Sequence, residues 1–109
     1  MINASIMSAL LDSLTNPLLF ADTDHVIRYM NKAAIRHYDS GAVLLGTSLL
    51  DCHNDRSKGT IVEILSAFHS GGDERLISEN NERRIYMRAV RDVHGTVIGY
   101  YERYEMREK

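Results

Sequence analysis

Apolar residues near the start of the chain recur at intervals of three and four positions, which is the spacing of one face of an α-helix. This face consists of Ile6, Met7, Leu10, Leu11 and Leu14. Asn3 or Ser5 can cap the helix, and Pro17 stops it because residues before a proline avoid the helical region. The pattern predicts an amphipathic N-terminal helix.

The strongest helical pattern lies further along the chain, where four apolar residues stand at positions i, i+3, i+4 and i+7. They are Ile61, Ile64, Leu65 and Phe68. Thr60 and Glu63 have the spacing of a capping box, although Ser57 can start the helix earlier. Gly71 and Gly72 end it. We therefore expect a second amphipathic helix over this stretch.

Five segments are rich in strand-forming residues and are separated by polar turns. They are residues 18–21, 26–30, 74–78, 84–91 and 96–104. Asn31 can cap a short helix over residues 32–37, which follows the first two strands. Hairpins at both ends imply antiparallel pairing, and the short helices are grouped in the middle. This order is typical of the α+β class.

Composition narrows the possible functions. The 109 residues, 44% of them hydrophobic, suffice for one domain with one core. With 15 acidic and 13 basic residues the net charge is -2, which does not favour direct binding to nucleic acid. The single cysteine excludes an internal disulfide and suits a reducing compartment. No apolar run approaches the ~20 residues of a membrane span, and the N-terminus lacks the basic region of a signal peptide. We expect a soluble cytoplasmic domain.

Three segments resemble those of PAS domains, in the same order and at similar spacing. Residues 21–34, ADTDHVIRYMNKAA, resemble the opening hairpin of that family and the helix of small residues that follows it. Its glycine-containing linker resembles LLGTSLLDCH, residues 44–53, and its closing hairpin resembles RDVHGTVIGYYERYE, residues 91–105. Among PAS domains, the module at the C-terminus of DUF438 proteins is most similar to CHNDRSKGTIVEILSAFHSG and RRIYMRAVRDVHG. One departure is His25, where the family usually has a glycine in its first turn.

The resemblance implies a PAS fold: a five-stranded antiparallel sheet in the order 2-1-5-4-3, with short helices that enclose a small cavity on one face. Residues 1–15 would form an N-terminal dimer or signal helix outside the core, and residues 16–109 the core domain. The implied function is a sensory or signalling domain that binds a small molecule in its cavity. It would signal by protein–protein interaction, as a homodimer through the N-terminal apolar face and with a downstream signalling protein or domain.

Cys52 and His53 form the most conspicuous pair of reactive residues. Zinc needs about four ligands and an iron–sulfur cluster several thiolates, whereas haem needs only one axial histidine, so His53 is a candidate haem ligand. The alternative is that Cys52 packs as a small hydrophobe and His53 hydrogen-bonds the loop to the sheet. A flavin is not expected, because HNDRS follows Cys52 in place of the motif of light-sensing PAS domains.

We expect six residues to contact a ligand in the cavity. They are His53, Ile64, Leu65, Phe68, Met87 and Arg88. Arg88 can bind a carboxylate through two hydrogen bonds, or it can instead pair with Glu102 or Asp92 across the last hairpin. His25 and His94 lie in turns and are expected to be solvated.

Two alternatives to the small-molecule sensor stay open. The first is a haem-based gas or redox sensor with His53 as the axial ligand. Apart from such a haem, we expect no metal site. The second is a ligand-free dimerisation or docking module, with a cavity filled by side chains. An enzyme is not expected, because no nucleophile stands with a base and a group to orient that base.

Overall fold

The computed structural model describes residues 2–107, without the side chain of Cys52. The strands are β1 (Leu18–Asp22), β2 (Ile27–Met30), β3 (Glu74–Glu79), β4 (Arg83–Arg91) and β5 (Val97–Met106). They form one antiparallel sheet in the order β2-β1-β5-β4-β3. The helices are α1 (Ala4–Asp12), α2 (Lys32–His37) and α3 (Asp55–His69), with 3-10 turns at Gly41–Leu44 and Leu49–Cys52. The expected α+β class and strand order are confirmed.

The core lies between α3 and one face of the sheet, which we call the inner face. The four apolar residues that predicted α3 are all buried. They pack in one cluster with Met87 of β4 and Tyr100 of β5, both fully buried. Burial of each apolar side chain of this size stabilises the fold by about 1.5–3 kcal/mol.

α3 begins earlier than the sequence suggested. Its cap is Asn54, whose side chain accepts a hydrogen bond of 2.9 Å from the backbone N–H of Ser57. The expected capping box at Thr60 and Glu63 is wrong, because Thr60 lies inside the helix and donates to the carbonyl group of Arg56 at 3.1 Å. The earlier start adds a turn of helix next to the cavity.

Asn31 joins three parts of the fold. Its side-chain oxygen accepts hydrogen bonds from the backbone N–H groups of Ala34 at 2.8 Å and Leu18 at 3.0 Å. Its amide group donates to the carbonyl groups of Leu11 and Asn16, both at 3.1 Å. Asn31 is fully buried, so it caps α2 as expected and also fastens the end of α1 to β1.

α1 lies outside the core, as the resemblance to PAS domains implied, and Asn3 caps it by accepting a 3.0 Å hydrogen bond from the N–H of Ile6. Its C-terminal end is held by Asp12, which accepts from the hydroxyl group of Tyr29 at 2.9 Å and the N–H of Lys32 at 3.1 Å. None of its residues is buried. Within one chain, α1 therefore leaves its apolar face exposed.

The outer face of the sheet, opposite α3, carries a network of charged side chains. The guanidinium group of Arg103 lies 3.1 Å from Glu74 and 3.2 Å from Glu105, and 4.3 Å from the ring centre of Tyr86. Arg88 also pairs with Glu74, at 3.6 Å. Half-exposed pairs of this kind contribute roughly 0–1 kcal/mol each, so they specify a polar surface more than they stabilise the domain.

Candidate functional site

A cavity of about 570 Å³ lies between the inner face of the sheet, the N-terminal half of α3 and the two 3-10 turns. Its apolar wall is formed by Leu19, Ile27, Leu44, Leu49, Ile61, Ile77 and Ile85. Its polar residues are Tyr38, His53, Arg56, Ser57, Thr60, Ser78, Glu102 and Tyr104. Cavities that combine apolar side chains with convergent polar groups are typical of sites for small molecules.

A chain of hydrogen bonds leads from the surface to a buried carboxylate in this cavity. The hydroxyl group of Tyr38 donates to Oε2 of Glu102 at 3.2 Å, and the hydroxyl group of Tyr104 lies 2.8 Å from that of Tyr38. Nε2 of His37 lies 3.5 Å from the Tyr104 hydroxyl group. Since Tyr38 has only one proton to donate, its hydroxyl oxygen accepts from Tyr104 while its proton goes to Glu102.

Burial dominates the electrostatics of this chain. Glu102 is 8% exposed, and burial raises the pKa of its carboxyl group, while the hydrogen bond from Tyr38 acts in the opposite direction. Burial also raises the pKa of Tyr38, and the neighbouring Glu102 carboxylate adds to that rise. Tyr38 therefore stays protonated and acts as a donor to Glu102.

His53 lines the same cavity and is half-buried. Burial lowers the pKa of its ring, which favours the neutral imidazole, the form that binds metals and accepts hydrogen bonds. Its backbone N–H donates to the carbonyl group of Leu50 at 3.2 Å and so closes the second 3-10 turn. The ring makes no hydrogen bond to another described residue, so the expectation that it ties the loop to the sheet is wrong. The side chain of its neighbour Cys52 lies outside the described residues.

The structure separates the six residues that we expected to contact a ligand. His53 is the one that lines the cavity. Four lie in the tightly packed core and not in the cavity wall, namely Ile64, Leu65, Phe68 and Met87. The earlier start of α3 explains this difference, because its first turns line the cavity and its last turns pack against the sheet.

Arg88 lies on the outer face, away from the cavity, which corrects its expected place in the ligand site. It is exposed and pairs with Glu74 of β3, not with Glu102 or Asp92 as the alternative supposed. Glu102 stands opposite Met87 in the register of β4 and β5. Its side chain therefore projects to the inner face, whereas that of Arg88 projects to the outer face.

Sequence reasoning missed Glu102, the buried acid, and the hydrogen-bonded tyrosines Tyr38 and Tyr104. The signal was present in the alternation of β5, where Tyr100, Glu102 and Tyr104 occupy every second position and share a face. Glu102 was treated only as a partner for an arginine. An acid between two aromatic residues on the inward face of a strand is the feature that would have revealed this part of the site.

His25 is a further correction, since it is half-buried and not simply solvated. It adopts the left-handed conformation with φ 65°, at the position where PAS domains usually have glycine. Its Nδ1 lies 2.8 Å from the hydroxyl group of the fully buried Tyr100. This hydrogen bond offsets the cost of placing a side chain in that conformation.

Two further observations concern the described part of the chain. Residues 2–107, without the Cys52 side chain, contain no group of three or more His, Cys, Asp or Glu residues that is arranged to hold a metal ion. None of the helices in that part is long and apolar enough to cross a membrane.

Comparison with known families agrees with the fold. A family model described as a PAS domain matches residues 7–104. The chain belongs to the PAS domain family. Modules of this family are typically sensory and not catalytic. Among proteins with curated descriptions, none matches this PAS domain.

Several solved structures share the fold. The C-terminal domain of a Streptococcus mutans protein aligns with a TM-score of 0.78 at 16% identity. The alignment covers 96% of this chain and 85% of that domain's chain. The Vibrio cholerae Aer2 receptor, described as a dual PAS-heme oxygen sensor, has a TM-score of 0.64 at 20% identity and covers 84% of this chain and 94% of its own. A sensor histidine kinase from Vibrio cholerae has a TM-score of 0.63 at 15% identity, with 96% and 92% covered.

Proposed function

We propose that this PAS domain is a sensory domain that binds a small molecule in its cavity and signals through protein–protein contacts. The observation that carries the proposal is the cavity of about 570 Å³, which holds a buried carboxylate at Glu102 and a half-buried imidazole at His53. A cavity needed only for folding gains nothing from a buried acid, because desolvating a carboxylate costs free energy. The role is non-catalytic, as is typical of the family.

The signal would travel by a population shift. Leu19 and Ile27 line the cavity from β1 and β2. The neighbouring Leu18 is hydrogen-bonded to Asn31, which also holds the last turn of α1. A ligand that fits one arrangement of α3 and the sheet better than another would thereby bias how α1 is held.

We propose that residues 1–15 act as the dimer and signal helix and residues 16–109 as the sensory core, with a second copy of the chain as the partner of α1. The exposed apolar residues of α1 are Ile6, Met7 and Leu10, at 50%, 54% and 62% exposure, and Leu14, which was expected on the helix but follows its end, is 44% exposed. Asp12 is the one charged residue within Ala4–Asp12. A nearly uncharged apolar face suits contact with its own copy around a two-fold axis. A downstream signalling protein or domain would then read the arrangement of the two helices.

Two narrower assignments belong to the same proposal. We place this PAS domain with the modules at the C-terminus of DUF438 proteins, because of the similar segments CHNDRSKGTIVEILSAFHSG and RRIYMRAVRDVHG. We also place it in the cytoplasm, since a chain with one cysteine suits a reducing compartment.

The dimer is tested by light scattering of the full chain and of Leu10→Asp. We expect a dimer for the unchanged chain and a monomer for the variant, because a charge in the centre of an apolar contact is strongly unfavourable. Val62→Asp, at a residue of α3 that is 48% exposed, serves as the control and should remain dimeric. A monomer for the unchanged chain would remove α1 as the interface.

The ligand site is tested by NMR titration of the ¹⁵N-labelled full chain with mixtures of small apolar compounds. We expect the shifted amides to surround the cavity and the shifts to vanish in Ser57→Trp, which places a large side chain in the cavity wall. Ser66→Trp, at an exposed position of the same helix, should bind as the unchanged chain does. If no compound shifts the cavity amides, the ligand-free docking module becomes the better account.

A haem sensor is the second candidate, and the observation that favours it is His53 in the cavity wall with its pKa lowered by burial. Arg56 in the same wall offers a cation to a haem carboxylate. The fold neighbour described as a dual PAS-heme oxygen sensor supports the same idea. A Soret band in the absorption spectrum that disappears in His53→Ala would establish haem binding, whereas a colourless protein that takes up no added haem would exclude it.

A further inference from the structure

Among residues 2–107, the carboxylate of Glu102 has no charged partner. Its one hydrogen bond to the described residues comes from Tyr38 and reaches Oε2 only. None of the ion pairs among residues 2–107 includes it. A carboxylate that is 8% exposed and carries a single hydrogen bond has most of its acceptor capacity unused. Glu102 lies in the wall of the cavity, so its unused acceptor capacity is available to a molecule bound there.

The neighbouring hydroxyl groups set the direction of the hydrogen bonds. Tyr104 donates to Tyr38 at 2.8 Å, and Tyr38 donates to Glu102 at 3.2 Å. When Glu102 is ionised, both protons point toward the carboxylate, which is then the acceptor at the end of the chain. A molecule that meets Glu102 in the cavity therefore finds an acceptor and must supply a donor.

The rest of the wall defines the body of that molecule. Besides its polar residues, the cavity wall contains seven aliphatic side chains, among them Leu19, Ile27 and Ile85. Aliphatic walls reward an apolar body and offer no compensation for further charged groups at that depth. The remaining charged group of the wall, Arg56, is exposed.

We propose, building on the sensory function above, that the cavity selects a small apolar molecule with one protonated amine, and that this amine pairs with Glu102. The ammonium group offers both the donor and the positive charge that the buried carboxylate lacks. Charge-assisted hydrogen bonds of this type are about twice as strong as neutral ones. The apolar body fills the space between the sheet and the first turns of α3.

The experiment is isothermal calorimetry of the full chain at neutral pH with three matched series of ligands. The probes are phenylalkylamines with one to four methylene groups, alkylbenzenes of the same length, and phenylalkanoates of the same length. We expect at least one amine to bind at least about tenfold more tightly than its neutral and anionic counterparts, as a hydrogen bond to a charged group predicts.

Two variants locate the effect. Glu102→Gln keeps the shape of the side chain and removes its charge, so the preference for the amine should fall by about tenfold or more. Glu105 lies on the same strand but pairs with Arg84 and Arg103 on the outer face. The control variant Glu105→Gln should therefore leave the preference for the amine unchanged. Equal binding by the amine and its neutral counterpart, or an amine preference that survives in Glu102→Gln, would overturn the proposal.

The outcomes also separate this proposal from the sensory function on which it rests. If neutral or anionic probes bind best and Ser57→Trp blocks them, the cavity is a ligand site and only the amine assignment fails. If no probe of any series binds, the amine assignment fails and the sensory function loses its support as well.

Discussion

Nδ1 of His25 lies 2.8 Å from the hydroxyl group of Tyr100, so the turn between β1 and β2 is fastened to the buried side of β5. Burial lowers the pKa of His25, although the charges of Asp22 and Asp24 act in the opposite direction. The unfolded chain therefore binds the proton more readily than the folded chain does. The stabilisation is complete above the unfolded pKa of about 6.5 and is lost as the pH falls below it.

We expect His25 to lower the melting temperature as the pH falls from about 7.5 to 5.5, around the ordinary histidine pKa, against the opposite contribution of Glu102. His25→Asn should show a smaller decline, because asparagine tolerates the left-handed conformation but does not titrate. Thermal unfolding followed by circular dichroism at several pH values measures this. His94→Asn, at an exposed turn residue, is the control, and an equal decline in His25→Asn and the unchanged chain would contradict the assignment.

Glu102 produces a pH dependence of the opposite sign. Burial raises the pKa of its carboxyl group, so the folded chain binds the proton more readily than the unfolded one. Its contribution to stability is complete below the unfolded pKa of about 4.5 and declines as the pH rises. We expect Glu102→Gln to gain melting temperature over the unchanged chain, with a gain that grows between about pH 4.5 and 7.5.

The matched control for this measurement is Glu63→Gln, since the Glu63 side chain is 75% exposed. Substitution of an exposed residue usually changes stability by no more than about 0.5 kcal/mol. A loss of melting temperature in Glu102→Gln at neutral pH would show that the carboxylate stabilises the free domain. It would then need no ligand to compensate for its burial.

Gly99 of β5 lies against the backbone of β1. A Cβ atom at this position would lie 2.2 Å from the carbonyl oxygen of Ala21 and 2.6 Å from the Phe20 ring. Since the carbonyl oxygen belongs to a paired strand and cannot move aside, we expect Gly99→Ala to destabilise the domain by more than about 3 kcal/mol, the upper range for overpacking. Urea unfolding measures the loss.

Gly59 provides the matched comparison for that substitution. It lies inside α3, where an added Cβ atom meets nothing within 4 Å. Alanine is favoured over glycine in a helix interior by about 1 kcal/mol, so Gly59→Ala should stabilise the domain. A similar loss in both variants would mean that β1 and β5 are not paired as described.

The cap of α3 gives a test of the corrected helix start. Asn54→Ala should cost about 1 kcal/mol, because it removes the side chain that accepts from the N–H of Ser57. Glu63→Ala should cost less than about 0.5 kcal/mol, because no capping box forms there. Chemical unfolding of the two variants distinguishes them, and a larger loss at Glu63 would restore the later helix start.

The sequence predicted those parts of the fold that depend on local patterns. The alternation of β5 and the helical spacing of Ile61, Ile64 and Phe68 set which side chains are buried, and these elements are where we expected them. The start of α3 was harder to predict, since Asn54, Ser57 and Thr60 are all acceptable caps. Packing against the sheet decides among them, and a local pattern does not contain that information.

The site was harder to predict than the fold, because its contacts join distant positions. Tyr38 and Glu102 are separated by 64 positions, and His25 and Tyr100 by 75. Nothing in the residues around Glu102 shows which tyrosine reaches it. His53 was identified as a residue of the cavity from its loop alone. Arg88 was assigned to the wrong face, because its strand bears apolar groups on both faces. Only the register of β4 and β5 shows which face points inward.

Native mass spectrometry of the freshly purified full chain, with an absorption spectrum of the same sample, tests the central claim that the cavity holds a small molecule. We expect a bound mass of a few hundred daltons that is present in the unchanged chain and in Ser66→Trp but absent in Ser57→Trp. An unliganded chain, or a bound mass that persists in Ser57→Trp, would contradict the account.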